Sequence, residues 1–146
     1  MAYEILVKPW AEARQMAIPI RFEVFVNEQN VPQEMELDSD DDRAWHALIL
    51  SGENPLGTAR LVVEDQDLNK VGRIGRMAVL KEYRQQGIGA DLLKALINFG
   101  VKQGIHEFYL HAQLLAQAFY VKEGFVTEGE IFEEAGILHQ AMRLKI

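Results

Sequence analysis

The sequence contains no cysteine, which excludes disulfides, thiolate metal sites and a cysteine nucleophile at once. It also lacks an excess of basic residues: 15 lysines and arginines stand against 22 aspartates and glutamates, for a formal charge of −7. A general nucleic-acid binder needs a basic surface to displace phosphate counterions, so no nucleic-acid partner is expected. An acidic surface instead suits a cationic small molecule or a basic peptide. No apolar run approaches the roughly 18–20 residues of a bilayer span, so no membrane partner is expected either. The opening Met-Ala-Tyr-Glu-Ile lacks the basic and apolar regions of a secretory leader, and a cytoplasmic location is the expectation. The four histidines show no His-Glu-x-x-His spacing and no metal is expected. The acidic run Asp38-x-Asp40-x-Asp42 has Arg43 and Ile49 where a calcium loop needs Gly and Glu, so it reads as a solvated loop facing a cationic acceptor. Repeats, low-complexity tracts and linkers are absent too, and the chain reads as one domain over residues 1–146.

What is present is an ordinary globular composition, 49% apolar and 25% charged, with length for one sizeable core. Weak alternation over residues 4–8 predicts a first strand. Residues 10–18 have helical composition, and Pro19 is expected to open a second helical piece reaching about Asn27, with Ile20, Val24 and Phe25 as its apolar stripe. Residues 28–43 read as a long loop. Strands follow at 44–50, 56–64 and 71–80, joined by turns at 52–55 and 65–69. Residues 87–102 form the clearest helix, with Ile88, Leu92, Leu96 and Phe99 on one face, widened by Leu93 and Ile97, and Gly104 as its stop. A strand at 107–112, a short helix at 116–122 and strands at 125–132 and 139–144 complete the pass. The order is mixed α+β, which excludes a simple doubly wound fold.

The most informative stretch is Met77-Ala78-Val79-Leu80-Lys81-Glu82-Tyr83-Arg84-Gln85-Gln86-Gly87-Ile88-Gly89-Ala90. A strand runs into a basic turn, and Gly-x-Gly-Ala then opens the strongest helix. A helix N-terminus leaves about four N–H groups unpaired and carries partial positive charge, so it receives phosphate readily. Glycines at 87 and 89 let the main chain approach an anion, and Arg84 is placed to add a charge-assisted bond. A ligand-free strand-to-helix turn explains a lone Gly-x-Gly equally well, and that alternative stays open at this point. A P-loop is excluded because no Gly-Lys-Ser/Thr follows, and a dinucleotide fingerprint because no third glycine does.

The stretch resembles motif A of the GNAT acetyltransferase superfamily, here Arg84-Gln85-Gln86-Gly87-Ile88-Gly89. A second stretch, Gln113-x-x-Ala116-x-x-Phe119-Tyr120-x-x-x-Gly124-Phe125, is similar to motif B, in which Asn is commoner than Gln at the first position. Arg21-x-Glu23-Val24-Phe25-Val26-x-Glu28-Gln29-x-Val31-Pro32-x-Glu34-x-Glu36-x-Asp38, His46 and Glu134-Ala135-Gly136-Ile137-x-His139 resemble the ElaA/YjcF-like branch. The resemblance covers essentially the whole chain.

It implies a GNAT fold: a central, mostly antiparallel sheet of about seven strands, splayed between the fourth and fifth, flanked by about four helices. It implies acetyl-CoA as cosubstrate, with the pantetheine arm along Ala78 and Val79. The pyrophosphate would lie on the N–H groups of Gln85, Gln86, Gly87, Ile88, Gly89 and Ala90, and Gln113, Ala116 and Phe119 complete the expected cofactor contacts. The acceptor would be a primary amine of a small molecule or peptide, attacking the thioester directly. A non-catalytic acyl-CoA-binding or sensing module of the same fold is the alternative. A homodimer is ordinary for the family. The backbone N–H of Val79 is the expected oxyanion donor, and Tyr120 the expected general acid, with simple packing beside Phe119 as its alternative. Many family members carry a Glu base on the strand before motif A, where this chain has Arg76 and Met77. Candidates for the acceptor side are therefore Glu28, Gln29, Glu36, His46, His111 and His139.

Overall fold

The computed structural model describes residues 2–146, so Met1, the first residue of the leader and single-domain readings, lies outside the described residues. Strands β1 (Glu4–Pro9), β2 (Trp45–Ser51), β3 (Asn54–Gln66), β4 (Asn69–Val79), β5 (Glu107–Gln113), β6 (Val126–Glu134) and β7 (Ile137–Lys145) form one sheet in the order β1-β2-β3-β4-β5-β7-β6. Every neighbouring pair is antiparallel except β4 and β5, which run parallel. Four α-helices flank it: α1 (Trp10–Arg21), α2 (Gln33–Glu36), α3 (Ile88–Lys102) and α4 (Gln117–Lys122). The mixed seven-stranded sheet and four helices are those the resemblance implies.

The hairpins are set by left-handed turn residues. Asp67 and Leu68 at φ 48° and 70° join β3 to β4, and Ala135 and Gly136 at φ 51° and 78° join β6 to β7. Two positive-φ residues match the strand twist, so both hairpins close in two residues. The β6–β7 hairpin is consequently longer than the sequence pattern predicts, because its tip carries charged residues rather than an apolar alternation.

Two further expectations are corrected. Pro19 does not begin a second helix; it lies inside α1, which continues to Arg21 and then widens into π-helical turns over Phe22–Glu28. Proline removes one intrahelical bond, but the buried stripe of Trp10, Ala13, Ala17, Ile20 and Arg21 holds the axis on the sheet. Ile20 and Val24 do form an apolar stripe, packed on Ala78 with Phe25 beside them. The segment after it is not structureless: α2 and a 3₁₀ turn at Asp41–Arg43 lie within it.

The main core lies between the sheet and α3, whose Ile88, Leu92, Leu93 and Leu96 are all buried. Each such side chain contributes about 1.5–3 kcal/mol over leaving it in water. Phe99 turns to the rim of this face and stacks against Trp45 at 4.8 Å. Gly100 takes the buried position, where a Cβ would come within 2.6 Å of the Phe108 ring. Gly72 meets the same ring, at 2.7 Å for a Cβ. Phe108 is thus clamped where β4 and β5 still pair, Gly72 opposite Phe108.

Candidate active site

Beyond that clamp the two parallel strands separate. Their pairing ends at Ile74 opposite Leu110, yet β4 continues to Val79 and β5 to Gln113. The gap opens into a cleft of about 1070 Å³ lined by Ala78, Val79, His111, Gln113 and Tyr120 among others. On β4 a bulge sets Arg76 and Met77 against Ala59, between the pairs Arg60–Gly75 and Thr58–Ala78. Strict alternation would send Arg76 into the α3 core with Ile74. The extra residue, with Arg76 at φ 48°, turns the guanidinium to the opposite face instead.

The edge of β4 facing the gap can be assigned from its hydrogen bonds. The Leu80 N–H donates to Leu56 O on β3 at 2.9 Å. Alternation along an antiparallel strand then points the Val79 N–H and C=O away from β3. The Val79 carbonyl accepts from Arg84 Nε at 2.9 Å, and the same guanidinium pairs with Glu28 at 2.7 Å. Arg84 and Glu28 therefore hold each other across the mouth of the cleft. Gln29 and Gln113 do the same beside them, the Gln113 amide donating to Gln29 Oε1 at 2.9 Å.

The turn into α3 leaves main-chain donors free. Gln85 and Gly87 take positive φ, 64° and 79°, and no side chain caps the helix. Its first bond runs from Asp91 N–H to Gly87 O at 3.0 Å. The N–H groups of Ile88, Gly89 and Ala90 precede that bond and have no helical acceptor. All three residues line the cleft, as do Gln85, Gly87 and Ala116. Gly89 lets Phe119 approach: a Cβ there would lie 3.4 Å from its ring. Gln86 turns away, its amide oxygen accepting from Tyr3 OH at 3.1 Å.

Tyr120 stands at the inner end of this wall, edge-on to Phe119 at 5.0 Å and to Phe125 at 6.0 Å. Its hydroxyl has a single polar neighbour, Met77 Sδ at 4.0 Å. Burial raises its pKa to about 12, so the phenol keeps its proton and remains a donor.

At the opposite end, His111, Phe132, Glu134 and His139 cluster on β5, β6 and β7. The His111 ring stands edge-on to Phe132 at 4.9 Å, and Phe132 stacks on His139 at 5.9 Å. His111 Nδ1 lies 3.2 Å from Glu134 Oε1. That hydrogen bond chiefly, against the opposing effect of burial, holds Glu134 below the usual carboxylate range. With Nδ1–H donated to Glu134, the neutral imidazole presents Nε2 as a lone pair. His139 Nδ1 bonds Ile137 O at 2.7 Å, leaving its Nε2 3.8 Å from Glu134.

Three acceptor-side candidates are engaged by other groups of the protein. His46 is buried on β2, its ring against Trp10 at 4.6 Å and its Nε2 3.0 Å from Asp41 O. Burial first, then nearby arginines, lowers its pKa and keeps it neutral, and it does not line the cleft. Glu36 reaches the cleft wall, but its carboxylate is buried and held by Arg21 at 2.9 Å and Arg76 at 3.4 Å. Glu28 is held by Arg84, as described. The acidic run is not a solvated loop. Asp41 is only 2% exposed, bonded to Arg21 at 2.8 Å and Arg60 at 3.1 Å. Burial opposes its charge, but the Arg21 bonds outweigh that and hold its carboxyl below the ordinary value. Asp38 pairs with Arg60 at 2.7 Å and Arg76 at 3.0 Å. Arg21, covered by Trp10 at 5.3 Å, thus anchors a charged network behind the acceptor wall.

The sequence pattern gave no role to Arg60, Arg73, Arg76, Phe132 or Glu134. The alternation of β4 puts Arg73 on the face opposite Ile74, which is a usable signal for that residue. The others depend on the bulge and on the β6–β7 pairing. Among the described residues no cluster of His, Asp or Glu is arranged to hold a metal, and no helix is long and apolar enough to cross a membrane.

The sequence and the fold are similar to those of known proteins. Residues 11–146 match the acetyltransferase (GNAT) domain family. The chain is 39% identical to the uncharacterized N-acetyltransferase YjcF of Bacillus subtilis over 127 residues, 86% of this chain and 88% of that one. It is 33% identical to the protein ElaA of Escherichia coli over 132 residues, covering 88% and 85% of the two chains. The crystal structure of Escherichia coli ElaA superposes with a TM-score of 0.84 at 29% identity, over 99% of this chain and 100% of that one. An acyl-CoA N-acyltransferase from Pseudomonas aeruginosa superposes at 0.85 with 26% identity, over 97% and 99%. With the parallel strands splayed over an uncapped helix and these relatives alongside, the chain belongs to the GNAT acetyltransferase superfamily, in its ElaA/YjcF-like branch.

Proposed function

We propose that the protein is an acetyl-CoA-dependent N-acetyltransferase acting on a primary amine, with residues 1–146 as its single domain. The observation that carries this reading is the coincidence of two features in one cleft. The unpaired edges of β4 and β5 offer main-chain partners to an amide-containing arm, and the uncapped N-terminus of α3 offers three N–H groups to an anion. Pantetheine and pyrophosphate have those two chemistries in that order. Gly87 at φ 79° and Gly89 against Phe119 leave the approach clear. When bound, acetyl-CoA supplies an activated thioester carbonyl.

The geometry supports the following roles for the residues. The acceptor nitrogen forms a bond to the thioester carbonyl carbon, and the carbon–sulfur bond breaks. His111 Nε2 takes the proton that the amine loses, with Glu134 fixing the ring and balancing its charge. The Val79 N–H, turned to the gap, receives the developing oxyanion. Tyr120 gives its proton to the departing sulfur, its hydroxyl already lying 4.0 Å from the sulfur of Met77. Arg84 lines the same cleft and engages Val79 O and Glu28 through Nε and Nη2, which leaves further N–H donors for the anion.

The experiment is release of free thiol from acetyl-CoA across a panel of amines: polyamines, aminoglycosides, amino acids and basic peptides. Amine-dependent release with a matching acetylated product is expected. Binding of acetyl-CoA without release for any amine would replace the transferase by a sensing module.

A further inference from the structure

Arg73 on β4 is half-buried, lines the cleft, and makes no hydrogen bond or ion pair among the described residues. The other cleft-lining arginines are all committed: Arg60 to Asp38 and Asp41, Arg76 to Glu36 and Asp38, Arg84 to Glu28. Asp40 is taken by Arg43 at 2.7 Å, and Glu64 accepts from Tyr109. A guanidinium with five donors is an anion receptor, and a carboxylate matches its fork with two parallel bonds.

Register places this receptor relative to the base. Arg73 pairs with Tyr109 across the parallel β4–β5 ladder, and His111 follows two residues later on the same face. Strand spacing and rise put the Arg73 and His111 Cα atoms about 8 Å apart, which their side chains narrow to the span of a small molecule. Arg73 is also close enough to Glu134, Asp40 and Tyr109 for its charge to bear on each of them. Among the arginines of the lining, Arg73 alone keeps its guanidinium free of a carboxylate, beside Glu134 and Asp40. A dianionic phosphate would meet Glu134 beside Arg73, whereas a zwitterion offers an ammonium to Glu134 and one negative charge to Arg73.

We propose that Arg73 receives a carboxylate of the acceptor, so that the substrate class is amino acids, acetylated on the amine held at His111 and Glu134. This rests on the transferase reading above and narrows it. The acetyl group passes to the amine as already described, and the carboxylate takes no part beyond binding.

The test compares the twenty amino acids with their amides and their decarboxylated amines as acceptors, for wild type, Arg73→Gln and Arg73→Lys. At least one free amino acid is expected to surpass both of its carboxylate-free counterparts in kcat/KM. Arg73→Gln should lower that value roughly 10- to 100-fold, mainly through KM, and erase the preference. Arg73→Lys should restore part of it, and KM for acetyl-CoA should stay unchanged. Because Arg73 has no internal partner, both variants should melt with wild type. Equal or better turnover of the carboxylate-free amines overturns the proposal, as does an unchanged preference in Arg73→Gln. If acetyl-CoA raises the melting temperature but no amino acid is acetylated, the proposal also fails. Failure of acetyl-CoA to bind at all overturns the transferase reading itself.

Discussion

At the end of the cleft that we assign to acetyl-CoA, the working groups are main-chain amides of Val79, Ile88, Gly89 and Ala90, all within one short stretch of chain. At the other end they are side chains, His111, Glu134, His139 and Arg73, brought together from four strands. The first end binds with groups that every sequence possesses, and needs only the backbone shape that Gly87 and the bulge at Arg76 supply. The second end depends on charges, and charges at a cleft wall need support. The buried set of Arg21, Glu36, Asp41 and Arg60 gives it to the wall formed by Asp38 and Arg76. A main-chain site should therefore respond to changes of backbone conformation and tolerate changes of charge, and a side-chain site should do the reverse.

The largest effect should come from the support of the acceptor wall. Arg21→Met leaves Glu36 and Asp41 buried without their principal partner, and should cost about 3–5 kcal/mol in denaturant unfolding. A loss below about 1 kcal/mol would show that Arg76 and Arg60 can carry the network alone. Next is Tyr120→Phe, which removes the proton donor and leaves the packing intact. Its kcat should fall roughly 100-fold or more, with little change in KM for acetyl-CoA. The pH profile sharpens the same point. The active form of an acid is the protonated one, and burial lifts Tyr120 to about 12. The wild-type kcat should therefore show no falling limb below about pH 11. A limb near pH 10 that disappears in Tyr120→Phe would contradict the raised pKa, and a Tyr120→Phe enzyme as fast as wild type would contradict the assignment.

The smallest effect expected is on the main-chain end. Gly87→Val forces a β-branched residue to φ 79°, although no atom lies within 4 Å of the new Cβ. The left-handed penalty of about 1–2 kcal/mol should shift the loop and weaken acetyl-CoA binding about tenfold, with the fold retained. Unchanged affinity would mean that the loop does not shape the anion site.

The same contrast explains how much could be read from the sequence. The α3 helix, the glycine turn and Tyr120 were legible because each is local: apolar periodicity, two glycines after a strand, and a phenol in a recognisable motif. The mostly antiparallel seven-stranded sheet and its splay followed from the resemblance that the two motifs carry, and the order of the strands within it did not. The acceptor end was legible only in part. His111 and His139 could be nominated as strand histidines, but Glu134 joins them through the β6–β7 hairpin, whose Ala135-Gly136 tip interrupts any apolar pattern. His46 and Glu36 were equally plausible as nominees, and the structure buries and pairs both, because the partners of a polar residue can lie far along the chain. Arg21 and Asp41, 20 residues apart, are one example. Pro19 failed as a helix start for a related reason: tertiary packing of α1 outweighed the local preference of proline.

Binding of acetyl-CoA to the intact protein tests the central claim most directly, followed as the shift in melting temperature with increasing ligand. The account predicts stabilisation of about 2.7 kcal/mol at 100 times the dissociation constant, a rise of roughly 5–11 °C for a domain of this size, reduced in Gly87→Val at equal ligand. No shift at millimolar acetyl-CoA would contradict it.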